Sequence, residues 1–162
     1  MKMFLIIGHQ NAIGYKEIFP LIKENKLWLG FHSGDMAFKV PWYYEKKDTR
    51  YWEDKSGQKW RSLGNVCWFT NLDISKRHED LILVEKYSPE KYPKYDNYDA
   101  INVDKTADIP EDYPGVMGVP ITYLDKHNRV QFDIVGINQH PAINGRALYK
   151  RILIQKRKDG LE

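Results

Sequence analysis

The sequence predicts an α/β fold dominated by strands, and the pattern of residues 4–31 is the main reason. Residues 4–7 are a continuous apolar run closed by Gly8, which is typical of a strand buried on both faces inside a parallel sheet. Residues 15–25 have apolar side chains at helical spacing, and Pro20 is expected to start or kink this short amphipathic helix. Residues 27–31 predict a second strand. Strand, helix and strand in this order form a βαβ unit with a right-handed crossover.

The rest of the chain predicts further strands separated by polar segments. Residues 33–63 form a polar and aromatic insertion, in which the turn chemistry of residues 54–58 indicates a hairpin. The Pro-, Tyr- and Asp-rich stretch at 87–118 predicts an ordered surface loop with little regular structure. Five other segments have the composition of strands: residues 65–70, 81–84, 119–124, 131–137 and 147–155.

Composition places the chain among ordinary globular proteins. With 162 residues, 42% hydrophobic and 29% charged, it can form one domain with a sizeable core. No apolar run approaches the ~20 residues of a membrane helix, so we expect no membrane association and a cytoplasmic location. The single cysteine, Cys67, lies between apolar residues and is expected to be a small buried side chain. The five histidines lack ligand spacing, so no metal site is expected.

The net charge of +3 is unevenly distributed. Residues 39–61 contain seven basic residues and four acidic ones, and residues 146–158 contain six basic residues and no acid. Residues 72–118 contain eleven acids and six basic residues. This asymmetry is compatible with a polyanion that contacts both basic segments. A solvated surface without a partner explains it equally well.

Two kinds of candidate site residue follow from these patterns. Asn11 follows the first predicted strand at its carboxyl end, where open α/β sheets bind ligands, although an ordinary hydrogen-bonded loop is the alternative. Basic residues interleaved with aromatic ones suit stacking on bases and contact with phosphates, whereas aromatic side chains packed on the sheet are the alternative. On the last strand, a charged face could lie along phosphates or meet water. The DNA-binding candidates are Lys39, Lys46, Lys47, Arg50, Lys59, Arg61, Arg146, Lys150 and Arg151.

Four segments of the chain resemble the EcoRI-type adenine-specific DNA methyltransferase family. They read FLIIGHQNAI (residues 4–13) with YKEIFPLIK (15–23), GNVCWFTNLD (64–73), YPKYDNYDAINV (92–103) and GVMGVPITYLDK (115–126). The resemblance implies S-adenosylmethionine-dependent methylation of adenine N6 in DNA on a Rossmann-like sheet. It also implies that an aromatic residue near 38 stacks on the extruded base, with Phe38 as the nearest match and Trp42 as the reserve. Core packing is the alternative for both.

Two motifs that the resemblance would lead one to expect do not occur in these residues. The family holds its cofactor with a Gly-rich turn and binds the flipped adenine with an Asn/Asp-Pro-Pro-aromatic motif. The eight prolines include no adjacent pair, and the eleven glycines include no Gly-x-Gly. We therefore expect this chain to contain no catalytic residue and to bind no cofactor itself, with S-adenosylmethionine belonging to the intact family.

By resemblance, residues 4–7 correspond to the fifth strand of the methyltransferase sheet. Residues 1–72 would form the C-terminal half of that sheet, with the insertion at 33–63 and an antiparallel closing strand. Residues 73–158 would be a β-rich, family-specific extension in the same globular unit, and residues 159–162 a tail.

The function expected from this organisation is that of a C-terminal segment of a restriction–modification methyltransferase. It would complete the sheet, supply part of the base pocket and contact DNA, and it would be inactive alone. Its expected partners are DNA and either a missing N-terminal half or a second copy that covers residues 4–7. The alternative is a non-catalytic nucleic-acid-binding or interaction module.

Overall fold

The structure, a computed structural model, describes residues 2–33 and 35–158, without the side chains of residues 32 and 33. The predicted tail at 159–162 lies outside the described residues. Within them the chain is mixed α/β with strands in the majority, which confirms the general fold class. The elements of the first half are β1 (Leu5–His9), a 3₁₀ helix (Gln10–Gly14), α1 (Phe19–Lys23), β2 (Trp28–Ser33), β3 (Ala37–Lys39), β4 (Tyr51–Glu53), β5 (Lys59–Ser62) and β6 (Val66–Thr70). Those of the second half are 3₁₀ helices at Ser75–His78, Thr106–Asp108 and Ile121–Lys126, and β7 (Ile101–Asn102), β8 (Val116–Pro120), β9 (Phe132–Asn138), β10 (Ala142–Ile143), β11 (Arg146–Ala147) and β12 (Arg151–Lys156).

The first half forms a three-stranded sheet in the order β1-β6-β2. The central strand β6 runs antiparallel to both neighbours, so β1 and β2 are parallel to each other, as a βαβ unit requires. Phe69 of β6 lies opposite Ile6 of β1 and Leu29 of β2. Helix α1 is shorter than predicted and has Pro20 in its first turn, where the missing N–H costs no hydrogen bond.

The described residues alone do not bury the first strand on both faces. Leu5, Ile6 and Ile7 are 54%, 57% and 40% exposed. The cause is the position of β1 in the sheet: within the described part of the chain it pairs with β6 alone, so its other edge is open.

The second half forms a four-stranded sheet in the order β7-β8-β12-β9, and a short hairpin of β10 and β11. Strand β12 is antiparallel to both β8 and β9, and β7 is parallel to β8. The predicted strands at 131–137 and 147–155 thus correspond to β9 and β12. Buried residues of the two halves, such as Cys67 of β6 and Met117 of β8, belong to one continuous core.

Two other predicted strands need correction. Residues 81–84 form no strand because the backbone of Leu81 is satisfied by a side chain: its N–H donates to Gln131 Oε1 at 2.7 Å, and its carbonyl accepts from Gln131 Nε2 at 3.0 Å. The predicted strand at 119–124 ends early, because β8 stops at Pro120 and a 3₁₀ helix follows. Proline fixes the backbone angle φ and cannot donate to a sheet.

Cys67 is fully buried, as predicted, and burial together with the nearby Asp125 raises the pKa of its thiol to about 12. The thiol is therefore protonated and unreactive at neutral pH. Among the described residues, no helix is long and apolar enough to cross a membrane.

Candidate nucleic-acid interface

Residues 35–64 form a separate three-stranded sheet, here called the arm, in the order β3-β5-β4. The arm contributes no residue to the two buried clusters found in the described part of the chain. The turn between β4 and β5 is held by Asp54, whose Oδ1 accepts hydrogen bonds from Ser56 Oγ (2.6 Å) and from the backbone N–H groups of Ser56 and Gln58. Gly57 has φ 79°, a conformation that glycine adopts without strain. The hairpin predicted at 54–58 is confirmed.

Strand register divides the arm into two faces. Lys39, Trp60 and Trp52 lie opposite one another on β3, β5 and β4, and their side chains share one face, here called the indole face. Phe38, Arg61 and Tyr51 are the next set across the same strands and share the other face. Aromatic and basic residues that are interleaved in the sequence therefore lie side by side on each face of the sheet.

On the indole face, the rings of Trp52 and Trp60 are parallel within 3°, with centroids 6.3 Å apart. The Lys39 ammonium lies 5.6 Å from the centre of the Trp60 ring, within the range of a cation–π contact. Trp60 Nε1 donates to Asp54 Oδ2 at 3.0 Å. Hydrogen bonds from Ser56 and Trp60 lower the pKa of Asp54 to about 2, so this acceptor is ionised at neutral pH.

Some of the cationic side chains of the arm form hydrogen bonds within the arm, and others do not. Three of them donate to backbone carbonyls within the arm: Arg50 to Leu63, Lys59 to Tyr44 and Arg61 to Thr49. Arg50 also has φ 54° and packs against Gly64, so its role includes the local fold.

The remaining lysines among the arm candidates are exposed. Lys39 and Lys47 lie over aromatic rings, those of Trp60 and Tyr44. None of the three lysines has a hydrogen bond or ion pair with the residues that the structure describes. These three are the arm candidates whose charges remain available to an anion.

The two aromatic base-pocket candidates are both accessible. Trp42 is 83% exposed and meets the exposed Tyr43 edge to face, with centroids 5.6 Å apart. Phe38 is also exposed, on the face opposite the indole face. Neither belongs to the buried core clusters of the described residues.

The third base-pocket candidate, Asn11, lies in the 3₁₀ helix directly after β1. Its backbone N–H donates to His9 Nδ1 at 3.2 Å, and its side-chain oxygen accepts from the hydroxyl of Tyr149. Gln139 Nε2 donates to the carbonyl of Gly14 at 2.8 Å, at the end of the same helix. Two residues of the second half of the chain thus hydrogen-bond to the turn at the end of β1. No local pattern indicates this contact, because Tyr149 and Asn11 are 138 positions apart in the chain.

The basic candidates near the C-terminus also differ in their surroundings. Arg146 is exposed on the hairpin of β10 and β11, and Lys150 lies over the ring of Tyr149. Arg151 is tied into the fold, since its guanidinium donates to Asn102 Oδ1 at 3.3 Å and to the carbonyl of Tyr149 at 3.1 Å. Among the described residues, no group of three His, Cys, Asp or Glu side chains could hold a metal ion.

Comparison with known proteins assigns the family. The profile of the family described as Adenine-specific methyltransferase EcoRI matches residues 1–160. The chain belongs to the EcoRI adenine-specific methyltransferase family. Within the curated members of this family, it is 51% identical to the Type II methyltransferase M.EcoRI of Escherichia coli, over 97% of this chain and 51% of that protein.

Two mycoplasma relatives extend the comparison. The chain is 38% identical to M.MpnI of Mycoplasma pneumoniae, over 86% of this chain and 46% of that protein. It is 33% identical to M.MgeORF184P of Mycoplasma genitalium, over 96% of this chain and 57% of that protein. Both are named Type II methyltransferases. The chain spans about half the length of these EcoRI-family relatives, and no solved structure matches it.

Proposed function

We propose that the chain is the C-terminal segment of an S-adenosylmethionine-dependent DNA adenine-N6 methyltransferase of the restriction–modification type. It closes the catalytic sheet, contributes to the target-base pocket and contacts DNA. It does not bind the cofactor or transfer methyl groups by itself. In this proposal residues 1–72 are the half-sheet with its insertion, and residues 73–158 are a family-specific extension in the same globular unit.

The observation that carries the proposal is the strand order β1-β6-β2 with an antiparallel centre. The family resemblance implies a fifth strand, a helix, a sixth strand, an insertion and an antiparallel seventh strand that closes the sheet. The described residues contain a strand, a helix, a strand, an insertion and an antiparallel strand in the same order, which supports the proposal. These residues also leave the outer edge of β1 open, where the resemblance implies an adjacent parallel strand.

The exposed apolar surface beside β1 supports the same proposal. Leu5, Phe31 and Trp68 line an open apolar hollow of about 310 Å³ on the three-stranded sheet. Apolar strands with an open edge and an uncovered face are normally covered by another strand or helix. The proposal assigns this cover to the N-terminal half of a methyltransferase, or to a second copy of the chain.

DNA contact is assigned to the arm and to the end of β1. Lys39, Lys46 and Lys47 would contact phosphates, with Arg146 and Lys150 as further contacts from the extension. Phe38, Trp42 and Asn11 would contribute to the base pocket. Arg50, Lys59, Arg61 and Arg151, whose charged groups bond to the fold itself, contribute mainly by shaping these surfaces.

A salt titration of duplex DNA binding tests the assignment. Replacing Lys39, Lys46 and Lys47 by Gln should reduce the slope of log K against log salt by about 0.9 for each phosphate that the variant no longer neutralises. The matched control replaces the exposed Lys16, Lys105 and Lys126, which changes the net charge equally away from the arm. Equal slopes for the two triple variants would remove the arm from the DNA interface.

The alternative function is a non-catalytic nucleic-acid-binding module. It is favoured because the arm contributes no residue to the buried clusters of the described residues. It predicts the same salt dependence but no association through β1. Mixing the chain with the unmatched half of M.EcoRI separates the two functions: a stable complex that methylates adenine supports the methyltransferase segment. A chain that binds DNA but remains monomeric, with or without that half, supports the module.

A further inference from the structure

The two faces of the arm differ in whether their polar and charged side chains already have hydrogen-bond partners. On the face that carries Phe38, the Arg61 guanidinium donates to a carbonyl of the arm, and the Tyr51 hydroxyl donates to Glu53 Oε1 at 2.9 Å. On the indole face, the Lys39 ammonium has no hydrogen bond with the described residues, and the rings of Trp52 and Trp60 are already parallel. The indole face is therefore the one with an available cation and a preformed aromatic stack.

Trp52 occupies the end of that stack. Its strand, β4, lies at the edge of the arm and pairs with β5, with no second partner among the described residues. The side chain is 40% exposed, so part of one indole remains open next to the ring that Asp54 holds in place. Because the Trp52 ring already lies parallel to this fixed Trp60 ring, a flat ligand that stacks on Trp52 orders less side chain than it would on an unpacked indole.

We propose that the indole face of the arm, formed by Lys39, Trp60 and Trp52, is a binding site for unpaired nucleobases of DNA. Trp52 is the stacking platform, and Lys39 contacts the phosphate beside the stacked base. The inference rests on the proposed role of the arm in DNA binding and specifies the form of DNA that this face recognises. A fully paired duplex hides its base faces, so only a single strand or an unstacked base offers the surface that an indole contacts.

Charge favours a nucleic acid as the occupant. Residues 39–61 contain seven basic and four acidic residues, which complements a phosphate backbone. Among the acids, Asp54 is fully occupied by the turn that it organises. Alternating cations and aromatic rings are the combination by which proteins bind single strands without strong sequence preference.

The test measures fluorescence anisotropy of three labelled oligonucleotides of one sequence: single-stranded, fully paired, and paired with a three-nucleotide bulge. Trp52→Leu should weaken binding of the single strand and the bulged duplex by about tenfold, consistent with the loss of one stacked base. Binding of the fully paired duplex should change by less than about twofold. The matched control is Tyr51→Leu, which removes the neighbouring aromatic ring from the opposite face and should leave all three affinities within about twofold.

A second variant distinguishes the loss of stacking from a loss of the arm's fold. Trp52→Phe keeps a smaller aromatic surface and should retain an intermediate affinity for the single strand. The inference is overturned if Trp52→Leu and Trp52→Phe both bind single strands as tightly as the parent, or if Tyr51→Leu loses as much affinity as Trp52→Leu. Its failure is distinguishable from failure of the proposed function. Salt-dependent duplex binding together with a single-strand affinity that is insensitive to Trp52 refutes stacking alone, whereas an absence of binding to any of the three oligonucleotides refutes both.

Discussion

The carboxylate of Asp54 accepts a 3.0 Å hydrogen bond from the indole Nε1 of Trp60 and also holds the turn that joins β4 to β5. One acidic side chain thus sets both the hairpin and the orientation of the ring at the centre of the indole face. Substitution of this residue should disturb DNA binding through the arm even though the acid itself would repel phosphate.

The protonation of Asp54 gives a first prediction. Its pKa in the folded chain is about 2, below the ordinary value of 3.8, because the Ser56 and Trp60 side chains donate to the carboxylate. The stabilisation is therefore fully present above about pH 4 and is lost as the pH falls through about 2. In a ¹H–¹⁵N spectrum, the Trp60 indole signal should keep its neutral position at pH 3. A titration midpoint near 4, or a midpoint near 2 that persists in Asp54→Asn, would contradict this.

His127 gives a second prediction, concerning global stability. Its Nδ1 lies 2.8 Å from the Tyr123 hydroxyl, and burial, aided by Arg77, lowers the imidazole pKa to about 4. The folded state therefore favours the neutral ring, and stability falls as the pH drops from 6.5 towards 4. The free energy of unfolding in urea should decrease by an amount on the order of 2 kcal/mol between pH 7 and pH 5.

Variants assign this pH dependence to one residue. His127→Gln should remove most of the decrease between pH 7 and pH 5, whereas His140→Gln should keep it. An unchanged pH dependence in His127→Gln would show that another group is responsible.

Gly118 of β8 provides a third prediction, on packing. A Cβ at this position would lie 2.1 Å from Tyr95 Oη, a buried hydroxyl that donates to Asn102 Oδ1 at 2.8 Å. Gly118→Ala should lower the free energy of unfolding by about 1–3 kcal/mol through overpacking. The control is Gly136→Ala on β9, where the added methyl would meet only Leu153 at 3.6 Å. Equal stability of the two variants, measured in urea, would contradict the packing around Tyr95.

The elements that could be predicted well from the sequence are those with a local cause. The turn at 54–58 follows from Asp54 and Gly57, and the start of α1 follows from Pro20. The parallel relation of β1 and β2 follows from the helix between them. Residues that depend on distant partners escaped prediction: the 81–84 segment is shaped by the Gln131 side chain, and Asn11 meets Tyr149 from the far end of the chain.

The candidate site shows the same division. The interleaving of aromatic and basic residues in the arm is visible in the sequence, but the register that places Trp52 beside Trp60 is not. The basic DNA-binding candidates follow from their charge alone. Charge does not reveal that the guanidinium groups of Arg50 and Arg151 donate hydrogen bonds to backbone carbonyls. The apolar run of β1 indicates how much burial the strand requires, and not whether these residues supply it.

The open edge of β1 gives a fourth prediction. Burial of one large apolar side chain is worth about 1.5–3 kcal/mol, so the exposed side chains of Leu5, Ile6 and Ile7 favour association. Light scattering after size exclusion should detect dimers or larger species. Ile6→Lys should shift the chain to monomer without loss of its circular dichroism spectrum, because the side chain is already exposed. Leu21→Lys, at an exposed apolar position on α1, should leave the association unchanged. A parent chain that is monomeric at high concentration would refute self-association.

Calorimetric titration with S-adenosylmethionine tests most directly the claim that this chain completes a methyltransferase sheet without holding the cofactor. The purified chain should give no binding heat, because its 162 residues contain neither a Gly-x-Gly turn nor a Pro-Pro motif. Full-length M.EcoRI, titrated in parallel, serves as the positive control for the assay. A micromolar dissociation constant for the chain alone would contradict the claim and would place a cofactor site within these residues.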